Sequence, residues 1–241
     1  MQRNCSCENI SKILKFINKW YKRNIDNQET EQHIKKLVGK SLSSHYGPLN
    51  IIQNCFEFLN EIPQIKLILK FVAKNENLQI YFDFQRESVK VLNNQQERLI
   101  KGHVFLEPSV IYIAAKNLLK KTSRLKVLSI LAHEMCHLAL FIVYQNSANP
   151  YEINNEFDKR KFEKIFEKCD KLKEEERSIK NVFKLYNEEN YHKELIVKVP
   201  ELLVYYFNDD VKFFEIFVTF KFLFDYFDEN IVKDMKLFLK E

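Results

Sequence analysis

Residues 128–144 read LSILAHEMCHLALFIVY, which places His133, Glu134 and His137 inside an otherwise apolar run. On a helix, residues four apart lie on one face, so His133 and His137 can direct two imidazole nitrogens at one metal ion, with Glu134 beside them. Burying three polar side chains on an apolar helix is costly unless each has a partner. The segment therefore predicts a buried helix that binds a metal ion.

Composition favours a folded and mostly helical chain. Of the 241 residues, 46% are hydrophobic and 29% are charged, as in ordinary globular proteins. Only three Gly and five Pro accompany 21 Phe, which favours helices with few tight turns and an aromatic core. We expect one domain over residues 1–241. It would have an N-terminal helical collar (1–62), a sheet plus the helix that carries the His-Glu-x-x-His motif, HExxH, at positions 133–137 (63–145), and a helical C-terminal half (146–241).

The segment between Ile65 and Ala115 has a different pattern. It contains IKLILKF, QIYFDF, VKVL and LIKGHVFLEPSVIYIAA, whose alternating and β-branched residues predict three to five strands. The first run could equally be a helix. Further on, Pro200 is expected to kink or interrupt the apolar run YHKELIVKVPELLVYYF, and one or two Phe-rich helices should follow. The predicted fold class is α+β and mostly helical, with a small mixed sheet next to the HExxH helix.

Charge and cysteine content bear on location and partners. The net charge of +5 is spread among interspersed acidic and basic residues, which predicts a solvated surface and does not favour a nucleic-acid partner. Five Cys at uneven spacing do not form a secreted disulfide framework, and the first residues lack the apolar core of a signal peptide. The apolar runs are broken before membrane-spanning length. We expect a cytoplasmic protein without membrane association, and nothing in the sequence indicates an oligomeric state.

The chemistry expected of HEMCH is that of catalytic zinc, which takes three protein ligands and a water whose pKa it lowers from 15.7 to about 7. His133 and His137 would be two of those ligands. Glu134 would accept the proton of the attacking water and pass it to the leaving amine. The expected cofactor is Zn²⁺.

The third ligand has three candidates. Glu194 begins an apolar stretch, where an unpaired carboxylate would be costly, and metal binding would remove that cost. Glu156 follows His137 by nineteen positions but lies in the polar segment NNEFDKRK. His192 is the remaining candidate, although a solvated loop histidine or a donor to the substrate carbonyl are competing roles. The sequence favours Glu194.

HEMCH preceded by a short sheet resembles the zincin metallopeptidases. The extended motif HExxHxxGxxH of metzincins is absent, whereas a downstream Glu resembles the gluzincins and the small regulatory proteases of the ImmA type. The spacing to Glu156 resembles thermolysin, but position 160, where that group has an acidic residue, is Arg. The resemblance implies a zinc-dependent peptidase acting on a peptide or protein.

Other polar residues are weaker candidates. His103, in KGHVFLEP, lies on a predicted edge strand, and the zincin resemblance implies that such a strand can pair with an extended peptide. Tyr151, Tyr191 and Tyr205 could donate to an oxyanion by residue type. We expect His33 and His45 to lie on the surface.

Two further functional hypotheses stand beside the peptidase. One is a catalytically inactive zinc-binding domain with a regulatory or protein-interaction role, favoured by the missing acidic partner at position 160. The other is a DNA-associated protease that resembles the SprT-like group, which also carries HExxH. That group implies a third His and a DNA-binding module, and neither is evident in the sequence.

Overall fold

Three helices precede the main part of the sheet. The structure is a computed structural model that describes residues 27–43, 49–93, 96–144, 160, 164 and 188–240, with side chains for 32–43, 49–90, 99–144, 160, 164 and 192–240. The helices are α1 (Asn27–Gly39), α2 (Leu49–Asn60) and α3 (Pro63–Val72). The parts of the predicted helical collar at residues 1–26 and 44–48 lie outside the described residues.

Helix α3 contains the IKLILKF run, for which the sequence allowed a strand or a helix. Pro63 stands in its first turn, where a missing backbone N–H and a fixed φ are tolerated. Ile65, Ile68, Leu69 and Val72 follow at helical spacing and are completely buried. The helical alternative is therefore correct.

In the part of the chain that the structure describes, six strands form a mixed sheet and a separate hairpin. In chain order they are β1 (Ser41–Ser43), β2 (Gln79–Asp83), β3 (Val89–Asn93), β4 (Gln96–Ile100), β5 (Gly102–Phe105) and β6 (Val110–Ala114). The mixed sheet has the order β1-β2-β6-β5, in which β5 is antiparallel to β6 and the other pairs are parallel. The hairpin consists of β3 and β4. The five strands after Ile65 confirm the prediction, whereas β1 was missed because three residues carry no periodic signal.

The two faces of the mixed sheet differ in burial. Ile80, Phe82, Ile111 and Ile113 are completely buried against the helices. On the opposite face the Tyr81 and Tyr112 rings stack with centroids 5.8 Å apart. Among the described strands, β5 stands at the end of the sheet order and pairs with β6 on one side, so within that part of the chain it is an edge strand.

The HExxH helix, α4, runs through the core from Arg124 to Tyr144. Its middle turns are buried on nearly every side, as its apolar composition predicts. Within the described part of the chain, it is the one helix with the length and composition to cross a membrane, and 67% of its most apolar window is buried in the fold. Burial of this kind is expected of a core helix.

The C-terminal part is helical. Its elements are α5 (Glu188–Tyr205), α6 (Asp210–Thr219), α7 (Lys221–Tyr226), a π-helical turn (Phe227–Val232) and α8 (Lys233–Phe238). Helix α5 packs along α4 and continues through Pro200, so of the two expected effects, a kink or an interruption, the interruption is wrong and the kink stays a prediction. Buried residues on both sides of the proline, Val197, Val199 and Leu203, hold the helix against the core. The predicted α+β, mostly helical fold class is confirmed.

Candidate metal centre

Three side chains from two packed helices converge at the centre of the fold. Helix α4 supplies His133 and His137, whose Nε2 atoms are 3.2 Å apart. Helix α5 supplies Glu194, whose carboxylate oxygens lie 3.5 Å from His133 Nε2 and 3.3 Å from His137 Nε2. His133 is buried and the other two are half-buried. The structure thus brings together the three residues that the sequence favoured as ligands.

The spacing of these donor atoms fits a zinc ion. Zinc bonds of about 2.0 to 2.2 Å at tetrahedral angles separate neighbouring ligand atoms by about 3.3 to 3.6 Å. The observed separations of 3.2, 3.3 and 3.5 Å agree with this range. Two imidazoles and one carboxylate are also a donor set that zinc accepts, so these residues could hold a metal ion.

A second carboxylate, Glu201, contacts the far side of the first histidine. Its Oε2 atom lies 2.9 Å from His133 Nδ1 and 2.5 Å from Lys198 Nζ. Because Nδ1 faces Glu201, Nε2 is left to face Glu194 and His137. The contact has the distance of an ion pair and is not an aligned hydrogen bond, since Nδ1 has no hydrogen-bond partner among the described residues. A carboxylate at this position can still favour one orientation of a metal-binding histidine. Glu194 and Glu201 are two helical turns apart on α5, so one helix face contacts both nitrogens of one ring.

The charges at this centre depend on one another. Burial lowers the pKa of His133, but the contacts with Glu194 and Glu201 outweigh it and raise that pKa to about 9. Burial also opposes ionisation of both carboxylates. Contacts with the two histidines nevertheless hold the pKa of Glu194 well below its usual range, and Lys198 and His133 do the same for Glu201. Both carboxylates therefore favour the protonated form of the His133 imidazole.

Glu134 is held by a close approach between α4 and β5. A Cβ atom at Gly102 would lie 2.5 Å from Cγ2 of Ile130 and 2.9 Å from Oε1 of Glu134. Glycine at position 102 thus lets the edge strand lie directly against the Glu134 side chain. Glu134 is 9% exposed and does not belong to the group of converging ligand atoms.

The other predicted candidates are not part of this cluster. His192 is half-buried on α5, two positions before Glu194, and His103 is exposed on β5 with its ring against Phe105. Tyr205 ends α5 and packs against Tyr206. Glu156 and Tyr151, the side chain of Tyr191, and His45 lie outside the described residues. His33 is buried, with Nε2 2.9 Å from Asn60 Oδ1, so its predicted surface position is wrong.

Glu201 was missed from the sequence. It stands directly after Pro200, at which the apolar run was expected to be kinked or broken. In a continuous helix, the seven-residue spacing between Glu194 and Glu201 places both on one face. That spacing was the available signal.

Removing the Glu201 carboxylate should weaken metal binding. We expect Glu201→Gln to raise the zinc dissociation constant by about 10 to 100-fold, because the His133 ring loses its orienting partner. Competition with a chromophoric chelator measures the constant. Glu215→Gln, an exposed position on α6, is the matched control and should bind zinc like the unmodified chain. Equal affinities for the two variants would contradict the role of Glu201.

Metal affinity should increase with pH. A metal ion needs neutral His133, whose metal-free pKa of about 9 means that it is protonated below that pH. Each pH unit gained between pH 6 and 8 should therefore tighten zinc binding by up to about tenfold, with release of a proton. Calorimetry in buffers of different ionisation enthalpy measures both quantities. A pH-independent affinity would show that His133 carries no such proton.

A side chain at Gly102 should destabilise the protein. Gly102→Ala places a Cβ against Ile130, whose branched side chain has one favoured rotamer in a helix. We expect the free energy of unfolding to fall by about 1 to 3 kcal/mol, as in other overpacked sites. Denaturant titration measures the change. Gly39→Ala, where a Cβ meets nothing within 4 Å, is the control. An equal effect at both positions would contradict the close approach.

Comparison with known proteins concerns the part of this centre that lies on helix α4. No curated protein matches the chain. Residues 69–181, slightly less than half of the chain, match the SprT-like family. The SprT-like group was the third functional hypothesis from the sequence, after the gluzincin-like peptidase and the inactive zinc-binding domain. The match includes His133, Glu134 and His137 but ends before Glu194 and Glu201. The matched segment is therefore similar to a zincin-like domain of the metallopeptidase type.

Proposed function

We propose that this protein is a zinc-dependent metallopeptidase. The observation that carries the proposal is the convergence of His133, His137 and Glu194, with donor atoms 3.2 to 3.5 Å apart beside Glu134. The similarity of residues 69–181 to the SprT-like family supports it independently. His133, His137 and Glu194 would be the ligands, and Zn²⁺ is the proposed cofactor.

Three protein ligands are typical of catalytic zinc, whereas structural zinc has four. When bound, the metal would polarise the peptide carbonyl and make water acidic enough to attack it. The protein's part is to present two neutral imidazoles and an ionised carboxylate. Glu201 serves this purpose by contacting His133 Nδ1, which leaves Nε2 directed at the centre.

Glu134 is the proposed general base. It follows His133 on α4 and so lies at the rim of the ligand cluster, where its carboxylate could take a proton from water and return it to the leaving amine. Its Oε1 faces β5 at Gly102, where a Cβ atom would lie 2.9 Å from it.

The proposed substrate is a peptide or protein in extended form. Strand β5 is an edge strand beside Glu134, and an open edge can bind an extended peptide by adding a strand. Its backbone would align the substrate along α4. His103 lies on this strand and is exposed, so it could contact the bound peptide.

An inactive zinc-binding domain is the alternative from the same fold. The absence of an acidic residue at position 160 favoured it, since a ligand histidine without a partner would be poorly oriented. Glu201 lies 2.9 Å from His133 and can fulfil that role from α5. The missing acidic residue at position 160 is therefore a weaker reason to expect an inactive domain. The cleavage assay below distinguishes the peptidase from the inactive alternative.

We do not propose a nucleic-acid partner, although the SprT-like resemblance is to a group of DNA-associated proteases. The charge of +5 arises from 38 basic and 33 acidic residues that are mixed along the chain. Binding to duplex and single-stranded DNA, measured across a salt series, tests this choice. Strong binding that weakens steeply with salt would favour the DNA-associated hypothesis.

Replacing the general base should abolish hydrolysis without removing the metal. We expect Glu134→Gln to lower the rate of peptide cleavage by about 10² to 10⁴-fold, because the amide cannot accept the proton. One zinc per chain should remain, since Glu134 is not a ligand. The measurements are cleavage of a broad fluorogenic peptide library and metal content. His137→Ala is the companion variant, which should lose both zinc and activity.

Two outcomes would contradict the proposal. Cleavage by the purified Glu134→Gln chain at the wild-type rate would show that Glu134 is not the general base of that reaction. A zinc-loaded wild-type chain that cleaves no peptide would favour the inactive alternative.

A further inference from the structure

Strand β5 and helix α4 lie side by side, and the strip of surface along the outer edge of β5 and the adjoining face of α4 is called the groove below. Gly102, at the start of β5, lies against Ile130 and Glu134. Farther on, residues 106–109 after β5 and residues 141–142 of α4 together line a cavity of about 560 Å³. A peptide bound along the β5 edge would therefore pass Glu134, and it would meet different residues at the two ends of the groove.

The other end of the groove carries two lysines. Lys101 immediately precedes Gly102, and Lys126 lies one helical turn before Ile130 on the same face of α4. Burial lowers the pKa of Lys101 below its usual range, and the neighbouring charge of Lys126 lowers it further. Two like charges thus stand together beside the candidate site.

No described carboxylate forms an ion pair within 4 Å of either lysine. Among the residues with described side chains, the acidic group whose charge reaches Lys101 is Glu87. Glu87 is itself engaged, because its Oε1 lies 3.8 Å from Lys116 Nζ and 3.4 Å from Lys120 Nζ. The positive charge at this end of the groove is therefore not balanced within that part of the chain.

We propose that Lys101 and Lys126 bind a side-chain carboxylate of the peptide substrate, so that the site prefers an acidic residue on one side of the cleaved bond. The proposal rests on the proposed peptidase function, because it assigns a substrate preference to that site. An anion between the two ammonium groups would relieve their repulsion and gain two charge-assisted hydrogen bonds.

The position of the carboxylate follows from helix and strand geometry. Lys126 and Glu134 are eight residues apart, which is about 12 Å along a helix. An extended peptide advances about 3.3 Å per residue, so the lysines would meet a residue about three or four positions from the cleaved bond. Lysine side chains are long and flexible, and neighbouring positions should therefore also be accepted in part.

A peptide fits this pair better than a nucleic acid does. Backbone phosphates recur at every nucleotide and are usually bound by a series of basic residues. Here two lysines stand at one end of a groove that also contains the buried carboxylate of Glu134 and ends in a partly apolar cavity. A chain with a single acidic residue matches that distribution of charge.

The test is binding of labelled peptides to the zinc-loaded, full-length Glu134→Gln protein, which leaves peptides intact. Fluorescence anisotropy compares extended peptides that are identical except for Glu or Gln at one position, moved stepwise along the sequence. We expect the best Glu peptide to bind about five to tenfold more tightly than its Gln counterpart, with the preference weakened by salt. Lys101→Gln and Lys126→Gln, made in the same background, should each reduce the preference.

Two further variants complete the design. Lys36→Gln removes an exposed lysine of α1, outside the groove, and should retain the full preference. Lys126→Glu should instead favour a peptide with Lys at the position where Glu was best, which a merely destabilised protein would not do. Unfolding midpoints verify that every variant is folded.

Equal affinity for Glu and Gln peptides at every position overturns the inference, as does a preference that survives in both lysine variants. A lysine effect seen with a single-stranded oligonucleotide and absent with peptides overturns it as well. Failure of the proposed function is recognised separately, in the wild-type chain. If that chain cleaves nothing while the acidic preference persists, the peptidase proposal is wrong and the carboxylate site is supported.

Discussion

The buried contact between His133 and the two carboxylates of α5 is the constraint on which the rest of this structure depends. One imidazole ring lies between Glu194 on its Nε2 side and Glu201 on its Nδ1 side. Removing one member of such a buried charged group leaves the others uncompensated, which is more costly than never having buried the group. The contact therefore fixes how α4 and α5 face each other. Rotating α5 by one residue would turn both carboxylates away from the ring.

The sheet contributes a second and independent constraint. Its β5 strand lies against α4 at Gly102, where any side chain would collide with Ile130 or Glu134. The two histidines are thus positioned by a helix on one side, and the neighbouring carboxylate by a strand on the other. Because the ligands and the candidate base depend on different neighbours, substitutions can disturb one without the other. This separation makes metal binding and hydrolysis distinguishable by experiment.

Local patterns were sufficient for part of the candidate site. The four-residue spacing of His133 and His137 is a property of one helix, and the sequence contains it completely. Glu194 was favoured because a carboxylate in an apolar stretch needs a partner, and the structure brings it to the histidines. Glu201 could not be found in the same way, since its importance depends on α5 continuing past Pro200. That continuity arises from packing on α4, and backbone propensity alone did not indicate it.

The fold shows the same division between local and long-range information. The strands and the core helix followed from alternation and from apolar length, and the alternative left open for IKLILKF was decided by Pro63 and by the packing of α3. Long-range contacts explain the failures. His33 is buried because Asn60 of another helix accepts its hydrogen bond, and β1 exists because three residues pair with β2. Lys101 and Lys126 are likewise adjacent only after β5 packs on α4.

The site is divided along the chain, and this division affects how the protein can be cut. His133, Glu134 and His137 lie within the segment that matches the SprT-like family, while Glu194, Lys198 and Glu201 follow after its end at residue 181. A fragment that stops at the limit of the match would keep both histidines and lose Glu194 and Glu201, the described carboxylates that contact them. The smallest portion able to assemble the centre must extend through α5. In this chain the limit of family similarity is therefore not the limit of the functional unit.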